Sequence, residues 1–226
     1  MLTQSIRFNS LVLGLFALVT ALLLASTYLG TRDTIAAAER AAAQKTLLEI
    51  FPDDQHDNNL LDDTLPIPGP YLKTLGLGKP DNIHVVRKNG QVTGFILPAV
   101  APDGYSGDIR LIIGIRADGT LAGVRVTAHN ETPGLGDKVE LRKHPWILSF
   151  EGRSLRNPPR DQWQVKKDGG VFDQFTGATI TPRAVVRKVR DTLQFYREHG
   201  DELRKAANPR LSDGESPQVE AREVKE

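Results

Sequence analysis

The sequence predicts an α+β fold: one N-terminal transmembrane helix, then a domain of antiparallel sheet with flanking helices. Three observations carry this. The run "LVLGLFALVTALLLASTYLG", Leu11 to Gly30, holds no charge, and about 20 apolar residues cross a hydrocarbon core as a helix. Two β-rich segments turn back at Asn89-Gly90 and Asp118-Gly119, dipeptides that supply the positive φ angles of tight hairpins. From Pro182 the apolar spacing becomes helical, with Val185, Val189, Leu193 and Tyr196 on one face and charges opposite.

The apolar run is too long for a signal-peptide core, and "LLLAS" is a poor cleavage site, so it reads as an uncleaved anchor. Arg7 is the sole charge before it, which places the N-terminus, residues 1–10, in the cytoplasm. After the anchor at 11–30 comes a stretch at 31–80 expected to be helical stalk and loop. It opens with the Ala-rich "TRDTIAAAERAAAQKTLLEI", a helix by propensity, and continues into the Pro/Gly-punctuated "TLPIPGPYLKTLGLGKP", read as loop. Residues 81–200 form the main domain. In its second hairpin Leu111, Ile113 and Ile115 alternate with Arg110, Gly114 and Arg116, which predicts one buried and one wetter sheet face. "KVELRKHPWILSF" reads as a short helix before a buried aromatic segment, and "DQWQVKKDGGVFDQFTG" as a further hairpin. The last helix is expected to stop at Gly200, leaving 201–226 as a polar, disordered tail.

Composition narrows the chemistry. The chain has no cysteine and its one methionine is Met1, which excludes disulfides, iron–sulfur clusters and thioether-attached haem. Redox work would need an organic cofactor or a His/carboxylate metal site. Arg7 aside, 28 Lys and Arg balance 28 Asp and Glu, so bulk charge does not draw nucleic acid.

Two motifs carry possible chemistry. In "DQFTGATITP" Thr181 stands where an N-cap belongs, with Pro182 at the first helical position. The free amides of such a first turn make an anion site, and Thr179, approached over small Gly177 and Ala178, presents a hydroxyl at its edge. On local sequence alone a simple cap is the better reading. In "HNETPGLGDKVE" the glycines impose an irregular backbone after a strand. There Glu131 or Thr132 has the groups to hydrogen-bond a heterocycle, against the plain alternative of a connecting loop. A metal set of His129, Glu131, Asp137 and His144 ranks low, because its spacing matches no zinc pattern.

Together, "GYSGDIRLIIGIRADGTLAGVRVTAHNETPGLGDKVE" and "DQFTGATITP" behind one anchor resemble the FMN-binding domain of bacterial membrane electron-transport subunits. The family resembled is that of the G subunits of the Rnf (or Rsx) ion-translocating electron-transport complex, to which the C subunits of the sodium-translocating NADH:quinone reductase are related. The resemblance implies FMN held covalently by a phosphoester to the last threonine of Asp-x-x-Ser/Thr-Gly-Ala-Thr. That pattern is met by Asp173, Thr176, Gly177, Ala178 and Thr179, so Thr179 is the implied attachment residue. It also implies flavin contacts from Glu131, Thr132, Gly134, Leu135 and Gly136. Trp146, Phe172 or Phe175 would pack on the ring or, on the plainer reading, belong to the core. The implied partners are the other subunits of the complex, membrane lipid and a separate flavin transferase that uses FAD as donor. The implied location is the bacterial inner membrane, single-pass, with the C-terminal domain in the periplasm. The chain would carry electrons without catalytic residues or a metal of its own; the alternatives are an anchored flavin-binding sensor or a non-redox assembly subunit.

Overall fold

The computed structural model describes residues 2–208. By internal contacts it divides into Met1–Lys45 and Thr46–Glu226. The first unit is described by helix α1, which runs unbroken over Leu2–Leu48, its last residues from Thr46 onward being counted with the second unit. At about 1.5 Å per residue it far exceeds the ~30 Å of a hydrocarbon core. Anchor and Ala-rich stalk are therefore one helix, and among the described residues it is the one long and apolar enough to cross a membrane. Thr20, Thr27 and Thr31 donate their hydroxyls to carbonyls one turn back, at 2.8–2.9 Å, so these polar groups need no water.

The second unit is built on a five-stranded antiparallel meander in the order β1-β2-β3-β4-β5. The strands are β1 (Thr64–Pro66), β2 (Asn82–Lys88), β3 (Gln91–Gly104), β4 (Gly107–Arg116) and β5 (Leu121–Ala128). Both expected turns are present. Asn89 and Gly90 have φ of 52° and 73°, and the Asp118 carboxylate accepts from the backbone and hydroxyl of Thr120. The segment expected as loop holds edge strand β1 and helix α2 (Gly69–Leu75), closed by Gly76 in the left-handed region. Local signals are weak there because prolines interrupt the run; an edge strand tolerates them.

One sheet face packs on helix α3 (Ile180–Ala207) through Phe95, Leu97, Leu111 and Ile113 against Val185, Val189 and Tyr196, all buried in one core. The other face is drier than alternation suggests. Leu47, Ile50, Phe51 and Leu60 form a second core on Val86, Ile96 and Ala122. The reason lies at Gly114 and Gly94, whose bare backbones let Ile50 and Phe51 lie flat: a Cβ at Gly114 would come within 2.2 Å of Ile50. Beside them Arg125 is buried, held by the Glu49 carboxylate at 3.2 Å and Glu49 carbonyl at 2.9 Å.

Three further expectations change. Residues 160–172 form two single 3-10 turns joined by a parallel Val165–Phe172 bridge, so there is no hairpin. The Val165 carbonyl accepts from the Asp168 and Gly170 amides at 2.8 and 3.1 Å, and Gly169 has φ of 89°, so the chain coils there instead of pairing antiparallel. "KVELRKHPWILSF" is two 3-10 turns, Gly136–Val139 and Pro145–Phe150. Helix α3 passes through Gly200, which packs against the Tyr196 ring, and continues to Ala207 because Leu203 and Ala207 are buried. The polar tail at 209–226 lies outside the described residues.

Gly114→Val is expected to destabilise the full chain by about 1–3 kcal/mol through overpacking against Ile50. Thermal unfolding in detergent checks this; an unchanged midpoint would mean that Ile50 does not cover the sheet.

Candidate functional site

Three chain segments meet around a cavity of about 400 Å³, within the ~300–1,000 Å³ typical of small-molecule sites. The β3–β4 turn contributes Tyr105. The loop after β5 contributes Glu131, Thr132, Leu135 and Gly136. The approach and first turn of α3 contribute Gly177, Ala178, Thr179, Ile180 and Thr181. The two sequence motifs, about 40 residues apart along the chain, thus line one space.

Local chemistry shapes each wall. Ala178 N–H donates to the Phe175 carbonyl at 3.1 Å, and Gly177, third in that turn, has φ of 81°. This is the position a type II turn reserves for glycine. A Cβ at Gly177 would also reach Leu135 across the cavity at 3.6 Å. In the opposing loop the Thr132 carbonyl accepts from the amides of Leu135 and Gly136, both at 3.1 Å. Gly134 has φ of 78° there, but it does not line the cavity.

The helix start differs from the expected one. Helix α3 begins at Ile180, so Thr179 holds the N-cap position, and its side chain makes no capping bond. Thr181 lies inside the helix, fully buried, and donates its hydroxyl to Glu131 Oε2. The Thr179 hydroxyl is consequently uncommitted among the described residues, next to first-turn amides that have no intrahelical acceptor.

Glu131 joins the three walls. It is buried at 5% exposure; Oε1 accepts from the Ser106 amide at 2.9 Å and Oε2 from Thr181. Its own amide donates to His129 Nδ1 at 2.9 Å, which leaves the His129 Nε2–H to donate to Glu140 at 2.7 Å. The residues weighed as a metal set therefore hold protein partners: His144 Nδ1 accepts from the Trp146 amide, and Asp137 faces Lys143 at 3.9 Å.

Asp173 and Thr176 lie outside the cavity and are exposed. Asp173 pairs with Lys166 at 2.6 Å, and its carbonyl accepts from the Trp146 indole at 2.8 Å. Trp146, Phe172 and Phe175 belong to the core, linked through Phe150 by ring contacts of 4.6–5.3 Å, and none lines the cavity. This aromatic cluster supports the TGAT turn from beneath. On α3, Arg183 grips Asp168 with two 2.6 Å bonds and holds that carboxyl below the usual carboxylate range.

Sequence reasoning missed Tyr105, Ile180 and the role of Thr181. A signal for the first existed: Gly104 and Gly107 flank "YS" in a tight β-turn. Outside α1, the exposed large apolar side chains among the described residues are Tyr105, Leu135, Leu148 and Ile180; all but Leu148 line the cavity.

Comparison with known proteins decides the family. Residues 104–194 match the model of the FMN-binding domain, and residues 1–50 match the RnfG N-terminal region. The chain is 50% identical over 200 residues to the G subunit of the ion-translocating oxidoreductase complex of Pseudomonas aeruginosa, covering 88% of this chain and 92% of that protein. The chain belongs to this family of G subunits. The G subunit of Vibrio cholerae is 44% identical over 205 residues, covering 91% and 97%, and that of Aliivibrio fischeri 44% over 195 residues, covering 86% and 92%. The FMN-binding domain of the family encloses every cavity-lining residue, Tyr105 to Thr181.

Thr181→Val removes one of the two donors to a buried carboxylate, and the expected loss is about 1–3 kcal/mol of stability. Exposed Thr176→Val should stay within about 0.5 kcal/mol. Denaturant unfolding of the two full-length variants side by side checks the contrast.

Proposed function

We propose that the cavity holds FMN, bonded through its phosphate to the Thr179 hydroxyl, and that the chain carries electrons between other subunits of a membrane ion-translocating oxidoreductase complex. The observation that supports this best is the free Thr179 side chain at the start of α3, in the cavity shared by both motifs. Membership of the G-subunit family supports the complex and its remaining subunits as partners.

The residues present suit the cofactor. The first-turn amides of α3 and its dipole favour a phosphate at Thr179. Gly177 and Ala178 leave the approach to that oxygen uncrowded. Tyr105, Leu135 and Ile180 offer apolar surface to a flat ring, and Thr132 offers a hydroxyl at its edge. When bound, FMN supplies reversible electron uptake, which the side chains of a chain without cysteine do not. The protein's own work is to hold the ring, exclude water from one face and set the local field.

Attachment needs a flavin transferase as a second protein, with FAD as donor. The Thr179 oxygen bonds to the flavin-side phosphorus, the FAD pyrophosphate bond breaks, AMP departs and the hydroxyl proton is lost. Exposed Asp173 and Thr176 stand outside the cavity, where such an enzyme can read them. In this reading the apolar helix anchors the chain in the bacterial inner membrane, in contact with lipid, and the C-terminal domain lies in the periplasm, an orientation that the single arginine before the span, Arg7, supports. There a covalent bond prevents loss of a cofactor that is hard to replace.

Thr179→Ala, co-expressed with the transferase, is expected to lose the in-gel flavin fluorescence that wild type keeps after denaturing electrophoresis. Fluorescence persisting in the variant would move the bond elsewhere. For orientation, Lys79→Cys introduces a single thiol at an exposed site. It should react with a membrane-impermeant maleimide once the outer membrane is permeabilised; labelling only after cell lysis would reverse the topology.

A further inference from the structure

Glu131 is a buried carboxylate whose two partners are both neutral, the Ser106 amide and the Thr181 hydroxyl. Several neighbouring cations are engaged elsewhere: Arg125 with Glu49 and Glu151, Arg142 and His129 with Glu140, and Lys143 with Asp137. No ion pair to Glu131 occurs among the described residues. Backbone packs straight onto its oxygens, since a Cβ at Gly104 would lie 2.9 Å from Oε1 and one at Gly136 2.7 Å from Oε2. As a clamp alone this arrangement is costly. Glutamine has the same length, would accept from Ser106 and donate to Thr181, and would avoid burying an unpaired charge. A carboxylate is instead kept in the wall of the cavity.

We infer that Glu131 is a positioning residue that also sets the potential of the cavity: its charge holds the bound flavin at a more negative midpoint potential than a neutral side chain would. This rests on the reading that the cavity holds FMN. Reduction brings two electrons from the donor onto the flavin and takes protons from solvent. Each electron arrives near a fixed carboxylate in a partly desolvated site, where Coulomb repulsion is weakly screened. The penalty falls on the reduced form, so the couple moves negative. Thr181 and Ser106 act through Glu131, because their bonds hold the charge at this wall.

The test is a redox titration of the full-length flavinylated chain in detergent. Dithionite is the reductant, mediator dyes carry the electrons, and flavin absorbance is followed. Intact mass and an unfolding curve are recorded on each sample. Glu131→Gln is expected to keep the FMN mass and to raise the midpoint by at least a tenfold change in the reduction equilibrium, about 30 mV for a two-electron couple. An unchanged midpoint in a folded, flavinylated Glu131→Gln overturns the inference while leaving the FMN reading in place. Wild type without FMN mass overturns the reading beneath it. Should Glu131→Gln not fold, Thr132→Lys decides. It places a cation at the same cavity on an exposed residue and leaves the clamp intact, so the midpoint should again rise; no rise overturns the inference.

Discussion

The hydrogen bonds converging on the Glu131 carboxylate connect segments that the chain brings together from far apart. Ser106 belongs to the β3–β4 turn, Glu131 to the loop after β5 and Thr181 to the first turn of α3. If any one of these shifted, the cavity would lose a wall. Because the carboxylate is buried, leaving either oxygen without its donor carries the desolvation cost of a charged group. That penalty makes the three-way junction cooperative.

The scaffold around the junction explains its precision. The long β3–β4 pairing ends at Gly104 opposite Gly107, which delivers Tyr105 and Ser106 to the site on a short turn. Helix α3 lies across the sheet with Val185, Val189 and Tyr196 in the main core, so its N-terminus cannot slide without disrupting that packing. Beneath the TGAT turn, the Trp146–Phe175 edge contact and the Trp146 bond to the Asp173 carbonyl fix the approach of the chain. The attachment segment thus rides on aromatic core, while its own small residues stay open.

The second sheet face shows how alternation misleads. Arg–Gly–Arg at 110, 114 and 116 reads as a wet stripe, yet Gly114 is buried under Ile50 and Phe51. Glycine scores as neutral in any periodicity, and a segment more than 60 residues away used its flatness. Arg125 is buried by the same covering segment, its charge met by Glu49 and Glu151. A local pattern cannot announce a distant partner of this kind.

By itself the sequence determined the anchor, the two Asn-Gly and Asp-Gly hairpins, the amphipathic last helix and the family, because each depends on residue types at short, regular spacing. The TGAT and ETPGLG motifs were also legible as words. Only the tertiary structure decided what they do to one another. It moved the cap position from Thr181 to Thr179: Thr181 lies inside the helix and donates its hydroxyl to Glu131. It brought in Tyr105 and Ile180, exposed apolar residues whose meaning lies in the cavity they face. Glu131 itself changed from a loop carboxylate free to meet a ligand into the bolt of the site. The physical reason is the same throughout: burial of a polar group is settled by partners far away along the chain, which no local window contains.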